Sequence, residues 1–271
     1  MRTVSLHTAR RIAGSAILLF LASTLASAQT VKPVIDEIVG NPVKGRIEYV
    51  NDGLLPLTVV LEPKSFSVSE TGEASFRPLD PDVHVKLSST SFRIQPQQTF
   101  YVFYEATAPE LPSWFVIYAN FTGFGLRTAQ GMNVRLQLPH TVYMLPKEPL
   151  QKSELQITRA ELDAAQNKVT LEVENTGDKF GRIFGTQLVY TKKKQDVQGF
   201  PVFPHSKRIL EIPLDEKAQG ENVPVEISMQ TKDFKLEQKL VRHDSTEVAA
   251  TANPAPTPTP AGTNGGGGNG H

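Results

Sequence analysis

From Gln29 to about Arg242 the chain is a succession of short runs in which apolar and polar residues alternate with a period of two. That is the spacing of a β-strand with one buried face. Arg46-Ile47-Glu48-Tyr49-Val50-Asn51 alternates, Thr58 to Leu61 is β-branched, and Phe66 to Ser69 is separated from Ala74-Ser75-Phe76 by the hairpin signal Glu70-Thr71-Gly72-Glu73. Further runs lie at Thr99 to Tyr104, Trp114 to Phe121 and Met132 to Met144. In the second half they lie at Leu155 to Ile157, Lys168 to Glu174, Gln187 to Tyr190, Lys207 to Ile212, Val223 to Met229 and Phe234 to Leu240, with turns at Asn175-Thr176-Gly177 and Asp215 to Gly220. Arg159 to Gln166 and Leu236 to His243 have helical composition, though each also fits a strand followed by a turn. Such spacing predicts an all-β protein of antiparallel sandwiches, since an α/β fold would interpose long helical stretches. The 214 residues of this stretch are close to twice the roughly 100 of one immunoglobulin-like sandwich, so two in tandem are expected. The Pro-rich joint Pro146-Lys147-Glu148-Pro149-Leu150 divides them into 29–147 and 148–243.

The ends are different. Arg2, Arg10 and Arg11 precede an apolar run from Ile12 to Leu21, too short to span a bilayer, that leads into Ala26-Ser27-Ala28. A positive start, a short apolar stretch and a small-x-small ending are what an export peptidase reads, so residues 1–28 are expected to be a cleaved signal peptide. Its removal takes three arginines and no acidic residue, which leaves 25 Lys+Arg against 28 Asp+Glu in an exported chain that is not membrane-embedded. Residues 244–271 carry alternating Pro and Thr followed by Gly265 to Gly268, with only one residue larger than threonine among the apolar ones, Val248. Such a segment buries too little to offset ordering entropy and is expected to be a disordered tail.

Composition narrows the chemistry. With 28 basic and 28 acidic residues, and no basic block beyond Lys192-Lys193-Lys194, nucleic acid is not an expected partner. No cysteine means no disulfide, no thiolate and no Cys-ligated zinc. The six histidines are scattered, and Asp80-Pro81-Asp82-Val83-His84 reads as a turn rather than a metal site. No nucleophile elbow, zinc-protease motif or phosphate loop is present, so neither a catalytic set nor a metal or cofactor is expected, and the chain is not predicted to be an enzyme. Gly181-Arg182-Ile183-Phe184-Gly185 mimics a membrane-helix dimerisation spacing, but Arg182 lies inside it and no apolar 20-mer surrounds it. Asn120-Phe121-Thr122 matches a glycosylation sequon and fits a strand equally well.

One run carries a candidate function. Met132, Val134, Leu136 and Leu138 share one face, the intervening residues are polar, and Val142 and Met144 keep the parity beyond Pro139. Two explanations fit. The strand packs its apolar face on its own core and shows a polar face to water, or it is an edge strand that lends its apolar face and unpaired backbone groups to an incomplete sheet in another protein. Pro139 removes one ladder donor, which an edge tolerates better than a central strand.

Asn51-Asp52 followed by Leu55-Pro56, Phe92-Arg93-Ile94-Gln95-Pro96 ahead of the Thr99 run, Leu111-Pro112 ahead of Trp114, and a long last strand closing at Leu145-Pro146 together resemble the PapD-like periplasmic pilus-assembly chaperones. Val202-Phe203-Pro204-His205-Ser206-Lys207-Arg208 resembles the Pro-centred turn and basic pair of their second domain. The resemblance spans about Val31 to Leu240. It implies a two-domain boomerang in the periplasm that caps incomplete fimbrial subunits, without ATP, by donating the last strand of its first domain, with an outer-membrane usher as a possible second partner. Met132, Val134, Leu136 and Leu138 fall where that family's donor residues lie. The family's two basic cleft anchors fall near Ile35 and Thr141, neither of which is basic; Lys32, His140 and Thr141 are then the candidate cleft residues, with Lys147 nearby. The Pro/Gly tail is not a usual part of that family, and the alternative reading of the whole chain is a sandwich-pair surface adhesin or envelope scaffold.

Overall fold

The computed structural model describes residues 29–122, 136–163, 166–190, 193–215 and 224–240. The segment 1–28, expected to be a signal peptide, and the segment 244–271, expected to be a disordered tail, lie outside the described residues. So do Met132 and Val134.

The described chain is almost wholly strand. The first half contains β1 (Gln29–Lys32), β2 (Ile35–Val39), β3 (Val43–Asn51), β4 (Leu57–Val68), β5 (Ala74–Pro78), β6 (His84–Leu87), β7 (Ser91–Ile94), β8 (Gln98–Thr107), β9 (Ser113–Thr122) and β10 (Leu136–Leu145). After a single 3₁₀ turn at Lys152–Glu154 come β11 (Leu155–Asp163), β12 (Lys168–Asn175), β13 (Gly181–Tyr190), β14 (Lys193–Val202), β15 (Ser206–Pro213), β16 (Val225–Gln230) and β17 (Lys235–Leu240). Of the two segments of helical composition, Arg159–Asp163 is strand in β11 with Gln166 in the turn before β12, and Leu236–Leu240 is strand in β17. Pairing with β12 and β16 along most of their length outweighs the weak helical preference of their residues.

Each half is a two-sheet sandwich. In the first, a sheet ordered β1-β3-β8-β6 faces a sheet ordered β2-β10-β9-β4-β5, with β7 paired to the first part of β4. In the second, β11-β12-β15 faces β14-β13-β16-β17. Alternation places the cores. On β3, Val43, Ile47, Tyr49 and Asn51 are buried, and on β12 Val169, Leu171, Val173 and Asn175 are. The two cores are separate, one built on residues such as Ile47, Val102, Phe121 and Val142, the other on Leu171, Ile183, Leu188 and Ile227. The runs at Thr58 to Leu61 and Phe66 to Ser69, expected as two strands, are one twelve-residue β4. It changes partner midway, pairing β7 through Leu57–Val60 and β5 through Lys64–Val68, while β9 runs alongside most of it.

A third cluster joins the halves. Phe66, Val116 and Tyr143 from the outer face of the β10-β9-β4 sheet pack against Phe180 and Phe203. Trp114 lies tilted against Phe203, with ring centroids 4.7 Å apart, and donates its indole N–H to Phe66 O (3.0 Å). The β4–β5 hairpin tip makes a second joint: Glu70 O accepts from Ile209 N (2.8 Å) and from Arg208 Nη1 (3.0 Å). Gly72 at that tip has φ +95°, and Arg208 occupies the space where a β-carbon would stand.

Candidate functional site

The flank of the first sandwich holding β10 is only half closed. β1 pairs β3 in one sheet. The chain then crosses at Pro33 and Val34 and re-enters the opposite sheet as β2, parallel to β10, with Ile35 opposite Thr141 and Val39 opposite Leu145. β10 therefore has β9 along Leu136–Met144 on one side, but β2 covers only Thr141–Leu145 on the other. Among the described residues, Leu136 to His140 form a bare edge.

The direction of the backbone groups follows from one bond. Thr141 N donates to Val34 O at 2.8 Å, away from β9, so odd-numbered residues of β10 turn their backbone polar groups outward while even-numbered ones pair with β9. On the bare stretch the outward groups are Gln137 N–H, Gln137 C=O and Pro139 C=O. Pro139 thus lacks its N–H on the open side, where its absence costs the β9 ladder nothing. The side chains obey the same parity. Leu136 and Leu138 are half-buried and pack against the first core, Val142 and Met144 are sealed within it, and Gln137 and Pro139 are exposed. The two leucines are neither solvent-facing nor wholly consumed. Among the described residues they lie on the stretch of β10 that β2 does not cover.

Of the residues expected at the cleft, Ile35 and Thr141 are brought side by side, whereas Lys32 and His140 do not share their face. Ile35 and Thr141 are register partners on the outer face, Ile35 about 43% exposed and Thr141 half-buried. Lys32 ends β1 in the other sheet, opposite Glu48, and is exposed. His140 points the opposite way from Thr141 and is fully buried: its Nδ1 lies 2.7 Å from Pro33 O, and its Nε2 lies 3.5 Å from Asp36 Oδ2. Burial pulls the imidazole below its ordinary value, while the Pro33 carbonyl and the Asp36 carboxylate act to raise it. Asp36 Oδ2 also accepts from Tyr104 OH at 2.6 Å.

Sequence reasoning missed the cation that does occupy the junction. Arg182, at the start of β13, reaches across to Glu37, two residues beyond Ile35 on the same face, and its guanidinium lies 5.1 Å over the Tyr143 ring. Its side chain is about 15% exposed and its Nη2 has no hydrogen-bond partner. Beside it is a cavity of about 290 Å³ lined by Glu37, Val39, Leu145, Lys147, Arg182 and Phe234, among others. The partners are 145 residues apart, and in the sequence Arg182 figures only as a charge interrupting the Gly181–Gly185 spacing. Among the described residues no group of three or more His, Asp or Glu is placed to share a metal ion.

No protein-family profile and no curated protein matches the sequence. Solved structures do match the fold. The YadV chaperone, 11% identical, is matched over 79% of this chain and 99% of its own, with a TM-score of 0.51. A structure of Salmonella enterica SafA pilin in complex with the SafB chaperone gives 12% identity, 80% and 99% coverage and a TM-score of 0.50. The described chain thus has the two-domain, all-β fold of the fimbrial chaperones.

Proposed function

We propose that the protein is a chaperone of pilus assembly, exported to the periplasm by residues 1–28, that holds incomplete fimbrial subunits by strand addition along the bare half of β10. Its working body is the pair of domains 29–147 and 148–243. The observation that carries this reading is the edge itself: outward backbone groups at Gln137 and Pro139, flanked by the half-buried Leu136 and Leu138. Met132 and Val134 continue the same parity in the sequence and are proposed to extend the donor face. A subunit lacking a strand exposes an apolar groove between unpaired edges. Adding β10 supplies both backbone partners and apolar side chains, and nothing in that exchange requires a nucleotide. The fold is shared with SafB, which is solved with a pilin, and this likeness supports a fimbrial subunit as the client. Release would follow replacement of β10 by another strand, with an outer-membrane usher as the site of delivery.

The test is capture of a fimbrial subunit by the purified full chain. Leu136→Glu puts a charge into the mouth where the client's core would close, and capture is expected to fall at least about tenfold, as for burial of an unpaired charge. Gln137→Glu, on the solvent face, is expected to leave it within about twofold. Equal capture by both variants would overturn strand addition and leave a sandwich pair of adhesin or scaffold type.

A further inference from the structure

His140 sits at the residue where the bare edge ends and β2 begins, and the proposed function gives it no role. Its ring is fully buried. Because a carbonyl can only accept, the 2.7 Å contact with Pro33 O assigns the ring proton to Nδ1. In the neutral ring Nε2 is then a bare lone pair, buried without a hydrogen-bond partner, facing the Asp36 carboxylate at 3.5 Å. Two acceptors face each other with no proton between them.

From this geometry we infer that His140 is a proton-operated latch on the β1–β2 crossover that sets how much of β10 is bare. The inference rests on the strand-addition reading and assigns its regulation. In the neutral state two bonds hold the crossover against β10: His140 Nδ1–H to Pro33 O and Thr141 N–H to Val34 O. The charged and titratable groups facing the ring are Asp36 from β2 and Tyr104 from β8; Lys32 adjoins the Pro33 acceptor from β1, and the register partner on β9 is Ile117. Tyr104 stays protonated, since burial and the Asp36 carboxylate both push its hydroxyl up. Among the described residues, one carboxylate, already accepting from Tyr104, is therefore the counter-charge for a buried imidazolium. Such a cation gains solvation when the crossover lifts.

The direction follows from linkage. Burial holds the latched imidazole below its ordinary value, so the lifted state binds the proton more readily. The latch is fully held above the ordinary histidine value of about 6.5 and weakens as pH falls below it. Lifting β2 frees the outward groups of Thr141, Tyr143 and Leu145 and extends the bare edge from five residues towards the whole of β10.

The experiment is hydrogen exchange on the full chain without any client, corrected for intrinsic rates, at about pH 7.5 and about pH 5.5. The Thr141 amide is expected to exchange about fivefold or more faster at the lower pH, while core amides such as Ile47 do not change. His140→Gln keeps a donor for Pro33 and is expected to abolish the pH response. Asp36→Asn removes the counter-charge, which lowers the latched imidazole further, so the acceleration between about pH 7.5 and about pH 5.5 is expected to be at least as large as in the unmodified chain. A Thr141 amide indifferent to pH in the unmodified chain, or one that keeps its response in His140→Gln, overturns the latch. Because no subunit is present, that result leaves the capture experiment to decide strand addition on its own.

Discussion

Two asparagines do equivalent work in the two sandwiches. Asn51 ends β3 fully buried; its amide donates to Leu55 O (2.9 Å), Ile94 O (3.2 Å) and Gln95 O (3.2 Å), and its Oδ1 accepts from Gly53 N (3.0 Å). Asn175 ends β12 in the same manner, donating to Lys179 O (2.7 Å) and Phe203 O (3.0 Å) and accepting from Gly177 N (3.0 Å). In each case an Asn-x-Gly side chain ties the strand end to a following loop and to a distant turn, satisfying carbonyls that would otherwise be buried without donors. Asn51→Leu keeps the volume and removes the bonds. It is expected to cost about 2–4 kcal/mol, read as a fall in the urea midpoint at unchanged m-value. The sequence placed Asn51 at the end of an alternating run and marked Asn175-Thr176-Gly177 as a turn, but showed neither asparagine as a partner of carbonyls 43 and 28 residues away, because those distances exist only once the strands are paired.

At the scale of elements, strands with one buried face were legible and strands defined by their neighbours were not. Alternation located β3, β9 and β12 to within a few residues, since each sets apolar side chains on one core. β1 and β2 are four and five residues long, cut by Pro33 and bounded by Pro42, and β2 has no fully buried residue, so neither carries a period strong enough to see. β14 reads Lys-Lys-Gln-Asp-Val-Gln-Gly-Phe-Pro-Val and is a strand because β13 pairs it throughout. The candidate site shows the same division: the parity of Leu136 and Leu138 was visible, whereas the crossover that leaves them at an edge was not. At the joint between domains, Phe203 meets Phe66, Trp114, Tyr143 and Phe180. Phe203→Ala should cost about 3 kcal/mol and split a single calorimetric transition into two, because the aromatic contacts that couple the sandwiches are lost. A single undivided transition in the variant would mean that the coupling lies in the hairpin tip and Arg182 instead. Gly72→Ala tests that tip: displacing Arg208 at a positive φ is expected to lower stability by about 1–2 kcal/mol, measured by chemical denaturation.

The molecule as a whole is held by two cores and a joint, without any cysteine to staple it. Its expected start after export, Gln29, is also the first residue of β1, paired with Asn51, and Val31 two residues on is buried in the first core. N-terminal sequencing of the exported protein should therefore read Gln29-Thr30-Val31, and deletion of residues 29–32 should destabilise the first sandwich by about 2–3 kcal/mol through the lost valine and ladder bonds. Arg182 and Glu37 lie in different domains, so their pairing emerges only when both sandwiches are assembled.

The parallel run of β2 beside β10 has a further consequence for geometry. On the strand-addition proposal, a visiting strand and β2 would share one track, end to end, and Pro33 and Val34 stand across it like a buffer at the end of a siding. With the crossover seated, a guest would slide along β10 only as far as that barrier. The protein would thereby measure off its guest: the point where the chain must stop would be set by the host's own crossover, before any side chain of the guest is inspected.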